Sequence, residues 1–275
     1  MTDQPFQTVV CGIDGTREGF EAARQAARIA GPDGRLVLVA ATHFLDAISG
    51  RWGPETIARD VLEMPPRDLG ELNDAVDAMA RDSLAWAQRQ VGGLVAVETR
   101  LATGRAYDEL RDEAGRAGAT LIAVGAHGGR RLVGAALGGV ATMLLHDAPT
   151  SVLVARAPFD PGAFPSRVVV GFDGSDHGLQ ALSVGARLCE DPARDLTVVI
   201  ATLDVGIDLD ELVARAAPHE ATVERHRPVE ALVAAASRAD LLVVGSRGAS
   251  GVRALGSVSE RVAHRAASSV LVVRG

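Results

Sequence analysis

Four short apolar segments occur twice in this chain in the same order, and this duplication limits the fold more than any other feature. The matched pairs are TVVCGIDGT (8–16) with RVVVGFDGS (167–175), LVLVAAT (36–42) with LTVVIAT (196–202), LIAVGAHG (121–128) with LLVVGSRG (241–248), and SVLVAR (151–156) with SVLVVR (269–274). Internal similarity of this kind indicates a duplicated structural unit. We therefore predict two related domains in tandem.

The boundary between the two repeats falls in ARAPFDPGAFPSR (155–167), where three prolines and a glycine interrupt any regular element. We place the domains at 1–157 and 165–275. In each repeat the apolar segments alternate with helical stretches, which predicts right-handed βαβ units on a parallel sheet and hence an α/β fold. The first repeat predicts a long helix over about 68–91, whereas the shortened second repeat keeps only a reduced helix over about 209–216.

Composition and charge exclude several classes of function. The formal net charge is −7 and no basic block stands out, so we expect no nucleic-acid partner. All 28 basic residues are arginine, which excludes a Schiff-base lysine and a Walker A lysine. Cys11 and Cys189 are too few for a disulfide framework, and no Cys or His cluster suggests a metal site.

The chain shows no sign of a membrane or secretory segment. Its first residues lack the basic and apolar regions of a signal peptide. The longest apolar runs have the length of strands and fall short of the ~20 residues that span a bilayer. We therefore expect a cytoplasmic protein without a membrane partner.

A glycine-rich turn follows the third matched segment in both repeats. With their spacing, the two turns are Gly125-x2-Gly128-x9-Gly138-Gly139 and Gly245-x2-Gly248-x7-Gly256-Ser257. Glycine lets the backbone approach a ligand closely, and a helix that begins after such a turn offers free N–H groups to a phosphate. Turn chemistry alone explains a single Gly-x-x-Gly, but its recurrence after the same strand favours an anion site. Ser257 and Glu260 also fit a capping box, which is a structural alternative.

The first and second matched strands also end in residues suited to a nucleotide. Asp14 and Asp173 follow the first strand of each repeat, at the carboxyl edge where open α/β sheets bind ligands. Either carboxylate could bind a ribose hydroxyl or a metal against phosphates, and an Asx turn or helix cap is an equal alternative. Ala41 and Ala201 would let an adenine ring bond to the main chain, although a simple strand end also explains them.

Together these motifs resemble the universal stress protein family. The signature of that family, Gly-x2-Gly-x9-Gly-(Ser/Thr), lies between the fourth strand and the last helix, and VVCGIDGT, VVVGFDGS and the two SVLV segments also match its pattern. The chain is similar over nearly its whole length to tandem members of the family. The resemblance implies, in each domain, a five-stranded parallel sheet with helices on both faces, of the Rossmann-like, adenine nucleotide α-hydrolase-like type. It also implies binding of ATP or a related adenine nucleotide, with or without Mg²⁺, and association through the last strands, within an intrachain pseudo-dimer or a homodimer.

Carried over by position, the resemblance assigns a nucleotide site to each repeat. The carboxylates would bind ribose, the alanines adenine and the glycine loops phosphate. The first site comprises Asp14, Ala41, Gly125, His127, Gly128, Arg130, Gly138 and Gly139. The second comprises Asp173, Ala201, Gly245, Arg247, Gly248, Gly256 and Ser257. The histidine and arginines would add positive charge, and a solvated loop side chain is the alternative for each.

Each site departs from the family pattern in one respect. Gly139 replaces the Ser/Thr hydroxyl, a loss that we compare with a missing helix cap of about 1 kcal/mol. The second site keeps Ser257, but seven residues stand where the pattern has nine. Because a shortened loop changes the shape of the cradle, we expect the first site to bind nucleotide better.

No catalytic residue is identified, since the chain shows no triad and only Asp14 and Asp173 are placed to act as bases. We favour a nucleotide-binding stress-response or signalling module in which the ligand changes association or partner binding. The alternatives are a slow ATPase, or a scaffold that has lost nucleotide binding in one or both halves.

Overall fold

The computed structural model describes residues 4–42, 69–126, 137–156, 163–246 and 255–275. Contacts divide the chain into two units, one of Phe6–Leu144 and one of Met1–Pro5 with Leu145–Gly275. Each unit contains a mostly parallel sheet flanked by helices. The predicted α/β fold class is therefore confirmed.

The unit of Phe6–Leu144 is built on four parallel strands in the order β3-β2-β1-β4. Its elements are β1 (Thr8–Gly12), α1 (Arg17–Ala30), β2 (Arg35–Thr42), α2 (Leu69–Val91), β3 (Ala96–Thr103), α3 (Ala106–Ala117) and β4 (Leu121–Gly125), and α4 (Gly139–Asp147) begins in it. The chain steps outward from β1 to β3 and then crosses back to β4. With right-handed crossovers this path places α1 and α2 on one face and α3 on the other.

Helix α1 shows how the sequence sets local structure. Thr16 caps it, because its Oγ1 accepts a hydrogen bond from the Gly19 N–H at 3.1 Å. The helix ends at Gly31, whose φ of 71° is costly for other residues. Its buried face consists largely of small side chains, which lets the helix backbone lie close to the sheet. The low aromatic content of the chain is thus matched by close helix–sheet packing.

The second unit contains six strands in the order β5-β10-β9-β6-β7-β8. Its elements are β5 (Ser151–Ala155), β6 (Val168–Gly171), α5 (Asp176–Leu188), α6 (Pro192–Asp195), β7 (Leu196–Ala201), α7 (Leu209–Ala216), β8 (Ala221–Glu224), α8 (Pro228–Ala236), β9 (Leu241–Gly245), α9 (Ser257–Arg265) and β10 (Ser269–Val273). The pairs are parallel except for β5 with β10, which is antiparallel. The last strand of the first repeat is therefore grouped by its contacts with the second repeat. The boundaries at 157 and 165 stay a prediction about the sequence repeats.

Two serines and two arginines fasten the antiparallel pair of β5 and β10. The Arg156 N–H donates to Ser269 Oγ at 2.8 Å, and the Arg274 N–H donates to Ser151 Oγ at 3.1 Å. The Arg156 guanidinium also donates to the Ala263 carbonyl of α9, at 2.7 Å. Burial lowers the pKa of Arg156 to about 10, so its charge persists at neutral pH.

Arg274 of the second repeat matches Arg156 in sequence, and its guanidinium makes the corresponding contact with a helix carbonyl. The Arg274 guanidinium donates to the Leu145 carbonyl of α4, at 2.5 Å. Carbonyl groups near a helix C-terminus lack intrahelical partners and favour a cation. Each terminal strand thus ends in an arginine that binds the last helix of the opposite repeat.

The connection between β7 and β8 is much shorter than its counterpart. Helix α7 has 8 residues, whereas α2, at the same position in the first repeat, has 23. The segment before α7 exposes Leu203, Val205 and Ile207. Among the helices of the described ranges, none is both long and apolar enough to cross a membrane.

Gly125 provides a test of the packing between β4 and α1. A Cβ at this position would lie 2.8 Å from the Glu18 carbonyl carbon and 2.9 Å from the Gly19 nitrogen. Since these are backbone atoms that cannot rotate away, we expect Gly125→Ala to lower the free energy of unfolding by about 1–3 kcal/mol in urea denaturation. Gly139→Ala is the matched control, because no atom of the described residues outside its own helix turn lies within 4 Å of its Cβ position. An equal loss in the control would contradict the packing explanation.

Candidate functional site

The register of the first sheet brings three predicted site residues to one edge. Gly12 lies opposite Val39, so Asp14 and Ala41, each two residues further on, end at the same level. Ala41 is 8% exposed and lies near the end of β2. Gly125 is the last residue of β4, on the other side of β1. The carboxyl edge of this unit therefore presents all three side by side.

The second unit repeats this register residue for residue. Gly171 lies opposite Val199, which again places Asp173 level with Ala201. In both units a single hydrogen bond extends the ladder beyond the first strand: Ile13 N–H to Val39 O at 2.8 Å, and Phe172 N–H to Val199 O at 3.0 Å. Gly245 ends β9, as Gly125 ends β4. The duplication thus extends to the geometry of the candidate sites.

Asp14 closes an Asx turn. Its Oδ1 accepts hydrogen bonds from the Thr16 N–H at 3.0 Å and from Thr16 Oγ1 at 2.6 Å. Gly15, between them, has a φ of 74°, which explains the Asp-Gly sequence. The structural alternative for Asp14 is therefore realised, with Thr16 rather than Asp14 capping the helix. These bonds occupy Oδ1 and fix the orientation of the carboxyl group.

Asp173 makes the same turn in the second unit. Its Oδ1 accepts from the Ser175 N–H at 3.0 Å and from Ser175 Oγ at 2.6 Å, and Ser175 caps α5 through Gly178. Gly174 has a φ of 76°. The two carboxylates differ in their surroundings, because Asp173 is exposed and Asp14 is half-buried.

Burial raises the pKa of the Asp14 carboxyl above the usual aspartate value. Desolvation is the largest cause, and the hydrogen bonds from Thr16 oppose it. The charge of Glu18, in the first turn of α1, raises the pKa further. Asp14 is thus a carboxyl group whose ionised form is disfavoured by its protein environment.

Both glycine loops are closed by the same hydrogen bond. Gly138 N–H donates to the Ala126 carbonyl at 2.8 Å, and Gly256 N–H donates to the Ser246 carbonyl at 2.6 Å. The ends of the two loops are therefore anchored alike, although the loops differ in length by two residues. Five predicted ligand residues lie between the anchors, outside the described residues, and their roles stay predictions: His127, Gly128, Arg130, Arg247 and Gly248.

Helix α9, which follows the second glycine loop, begins one residue earlier than the capping box of Ser257 and Glu260 requires. Glu260 N–H donates to the Gly256 carbonyl at 3.0 Å, which makes Gly256 the N-cap and Ser257 the first helical residue. The predicted capping box at Ser257 is therefore wrong, and α9 has no side-chain cap. In the first unit the Thr142 N–H donates to the Gly138 carbonyl at 3.0 Å. The first N–H groups of each helix thus have no intrahelical acceptor.

Ser259 is a site residue that the sequence motifs did not reveal. Its buried Oγ donates to the Gly245 carbonyl at 2.6 Å, which fixes the base of the second loop. The matching residue of the first repeat is Ala141, which has no hydroxyl. The only sequence signal is this serine–alanine difference between repeats.

The comparisons with known proteins identify the family. The profile of the "Universal stress protein family" matches residues 5–156 and 206–274. The chain therefore belongs to the universal stress protein family, with two matching regions in tandem. It is 28% identical to a curated universal stress protein of Mycolicibacterium smegmatis (strain ATCC 700084 / mc(2)155), and the alignment covers 97% of this chain and 96% of that protein.

Solved structures share the fold over nearly the whole chain. A universal stress protein from Archaeoglobus fulgidus DSM 4304 superimposes with a TM-score of 0.70 at 19% identity, covering 97% of this chain and 96% of that one. A putative universal stress protein from Pseudomonas aeruginosa UCBPP-PA14 gives 0.64 at 19% identity, covering 98% and 94%. These similarities support the tandem arrangement of the α/β fold.

The two repeats match the family unequally. The first site lies entirely within the matched residues 5–156. The gap between the matched regions includes β6 and β7, and with them Asp173 and Ala201. Two of the seven residues of the second site thus lie where the family profile finds no match.

The raised pKa of Asp14 leads to a stability prediction. A raised pKa means that the carboxyl stabilises the fold below the usual aspartate value of about 4, and that this contribution is lost as the pH rises through the folded-state pKa. Asp14→Asn keeps an oxygen for the Thr16 bonds and removes the charge. We expect this variant to unfold at a higher temperature than the parent at pH 7, with the difference disappearing below pH ~4.

Asp14→Ala is the control for the turn itself. It loses the acceptor for both Thr16 donors as well as the charge, so it should be less stable than Asp14→Asn at every pH. A parent protein at least as stable as Asp14→Asn at pH 7 would show that burial of the charge is not costly.

Proposed function

We propose that this protein is a stress-response or signalling module that binds ATP or a related adenine nucleotide. The supporting observation is the duplicated carboxyl edge, where a carboxylate, a small strand residue and a helix N-terminus recur in the same register. Open α/β sheets bind nucleotides at this edge, with phosphates at helix N-termini. Because the arrangement occurs twice in one chain, we infer that these residues do more than form turns.

The residues of the first site fit an adenine nucleotide. Because Asp14 Oδ1 is occupied by Thr16, the ribose hydroxyl would approach Oδ2. The adenine would lie against Ala41, and the first-turn N–H groups of α4 would bind the phosphates. Among the described residues, no atom outside the helix's own first turn lies within 4 Å of the Gly139 Cβ position, which leaves room for them on that side.

Any Mg²⁺ in this site would be bound mainly by the phosphates of the nucleotide. The described parts of the chain contain no group of three His, Cys, Asp or Glu residues that could bind a metal ion. Mg²⁺ commonly binds through phosphate oxygens, water and one or two carboxylates. In this protein it would enter with the nucleotide, and Asp14 is a carboxylate at the same edge of the sheet.

We propose that the first site binds nucleotide better than the second. The family match covers the first site completely, and the protein encloses Asp14 more than Asp173. The second site has two hydroxyl groups that the first lacks, those of Ser257 and Ser259. These hydroxyls would favour the second site only if its shorter loop still reached the phosphates.

Helix α9 offers a route from nucleotide binding to association. It begins at the glycine loop and ends near Ala263, whose carbonyl is bound by Arg156 of β5. A ligand that shifts the helix N-terminus would therefore change the contacts of the β5–β10 pair. We propose that this pair joins the repeats as an intrachain pseudo-dimer in a cytoplasmic protein, and that nucleotide changes its association or that of a homodimer.

Charge insertion into each loop tests the site and its ranking. Gly128→Glu and Gly248→Glu each place a carboxylate where a phosphate would bind. In calorimetric ATP titrations we expect Gly128→Glu to remove most of the binding and Gly248→Glu to remove less, with parental thermal stability in both. Equal losses would contradict the ranking.

The same protein also tests the two alternative functions. If the parent protein binds no adenine nucleotide, a scaffold is favoured. If the parent turns over Mg-ATP steadily and Asp14→Ala abolishes that turnover, an ATPase is favoured.

Gly139→Ser tests whether a missing hydroxyl limits the first site. The Cβ position is open, so the serine introduces no clash, and its hydroxyl would meet the phosphates at the helix start. A contribution of about 1 kcal/mol corresponds to an affinity gain of ~5-fold for ATP, measured in the Gly248→Glu background. Gly139→Ala adds the same carbon without the hydroxyl and should leave the affinity unchanged. An equal gain with alanine would assign the effect to the helix rather than to a ligand contact.

A further inference from the structure

In the second unit, helix α7 packs against the turn that presents Asp173. A Cβ on Gly174 would lie 2.3 Å from Cδ2 of Leu212 and 3.5 Å from Nη1 of Arg215. A side chain at this position would displace the Leu212 side chain, and the φ of 76° itself favours glycine. This packing places the Arg215 guanidinium beside the proposed ribose position.

Arg215 lies in the last turn of α7, yet its guanidinium reaches back toward the carboxyl edge. Helical side chains point toward the N-terminus of their helix, and α7 starts at that edge because it follows β7. The residue is exposed, and its side chain makes no hydrogen bond or ion pair with any other residue in the described ranges. By contrast, Arg265 of the same unit is paired with Glu230.

The order of the strands separates Arg215 from the glycine loop. The loop follows β9, Asp173 follows β6, and α7 connects β7 with β8 on the far side. A phosphate chain that extends from the ribose to the glycine loop therefore runs away from Arg215. An anion bound by Arg215 would therefore be a group other than that phosphate chain, on the side of Asp173 where β7 lies.

The chemistry of a guanidinium identifies that group. It keeps its charge at any physiological pH and presents planar donors that match a phosphate. In dinucleotide sites a carboxylate binds the free ribose hydroxyls, whereas an arginine nearby accommodates a phosphate on the ribose. The second unit places both kinds of side chain at one turn.

We propose that the second site selects an adenosine nucleotide that carries a phosphate on its ribose ring as well as a 5′-phosphate, and that Arg215 determines this specificity. The inference rests on the proposed nucleotide binding and adds the ligand class of one site. It gives the second repeat a ligand of its own, rather than a weakened copy of the first site.

The test compares adenosine 3′,5′-bisphosphate and adenosine 2′,5′-bisphosphate with AMP in calorimetric titrations of the full chain carrying Gly128→Glu. We expect at least one bisphosphate to bind about tenfold more tightly than AMP, the gain from a hydrogen-bonded charge pair. Arg215→Gln should abolish this preference and leave the AMP affinity unchanged.

Arg238→Gln is the matched control. Arg238 is also exposed and lies before β9, at the opposite edge of the sheet, so its loss removes the same charge without touching the site. The preference should survive this substitution. If AMP binds and neither bisphosphate binds more tightly, or if both substitutions abolish the preference, the inference is wrong while the proposed function stands. If the parent protein binds neither AMP, ATP nor a bisphosphate, the proposed function itself is wrong, and this inference with it.

Discussion

The two carboxyl edges depend on a direct contact between backbones, made where a strand ends against the first turn of a helix. In the second unit a Cβ on Gly245 would lie 2.7 Å from the carbonyl carbon and oxygen of His177, and Gly125 meets α1 in the same way. No residue with a side chain fits such a contact without displacing the helix. These glycines therefore set the distance between each loop and the turn that holds its carboxylate. The family signature begins with a glycine for a reason of packing, before any ligand is considered.

At the Asx turns and loop anchors the repeats keep the same backbone geometry, and there they differ in the side chains placed on it. The Asx turns, the loop anchors and the registers agree between the units to within a few tenths of an ångström. The differences are the burial of Asp14, the hydroxyl of Ser259 and the guanidinium of Arg215. A duplicated unit can retain its fold under strict packing limits while each copy acquires its own ligand contacts. Loss of function and change of specificity then look alike in sequence, because both alter the same few positions.

The repeat and the alternation of strands and helices were sufficient to predict the α/β class and most element bounds. The long helix predicted over about 68–91 is observed as α2 (Leu69–Val91), and the reduced helix predicted over about 209–216 is observed as α7 (Leu209–Ala216). The residue patterns could not reveal that β5 pairs with β10, because that pairing joins segments more than 100 residues apart and leaves no periodic pattern; only the family resemblance implied association through the last strands. The capping box at Ser257 failed because the neighbouring glycine adopts the N-cap conformation instead. Ser259 and Arg215 were missed because their contacts depend on which strand end each helix meets in three dimensions.

Because Arg156 and Arg274 each bind the last helix of the opposite repeat, the two repeats cannot be separated at the linker without breaking these contacts. The proline-rich linker suggests a natural point of separation, yet β5, which precedes it, is paired with β10 at the other end of the chain. Within one polypeptide this pairing occurs at a fixed effective concentration, whatever the amount of protein present. In two separate halves the same strands would have to find each other by diffusion. The covalent linkage therefore makes the pairing of β5 with β10 independent of the expression level of the protein.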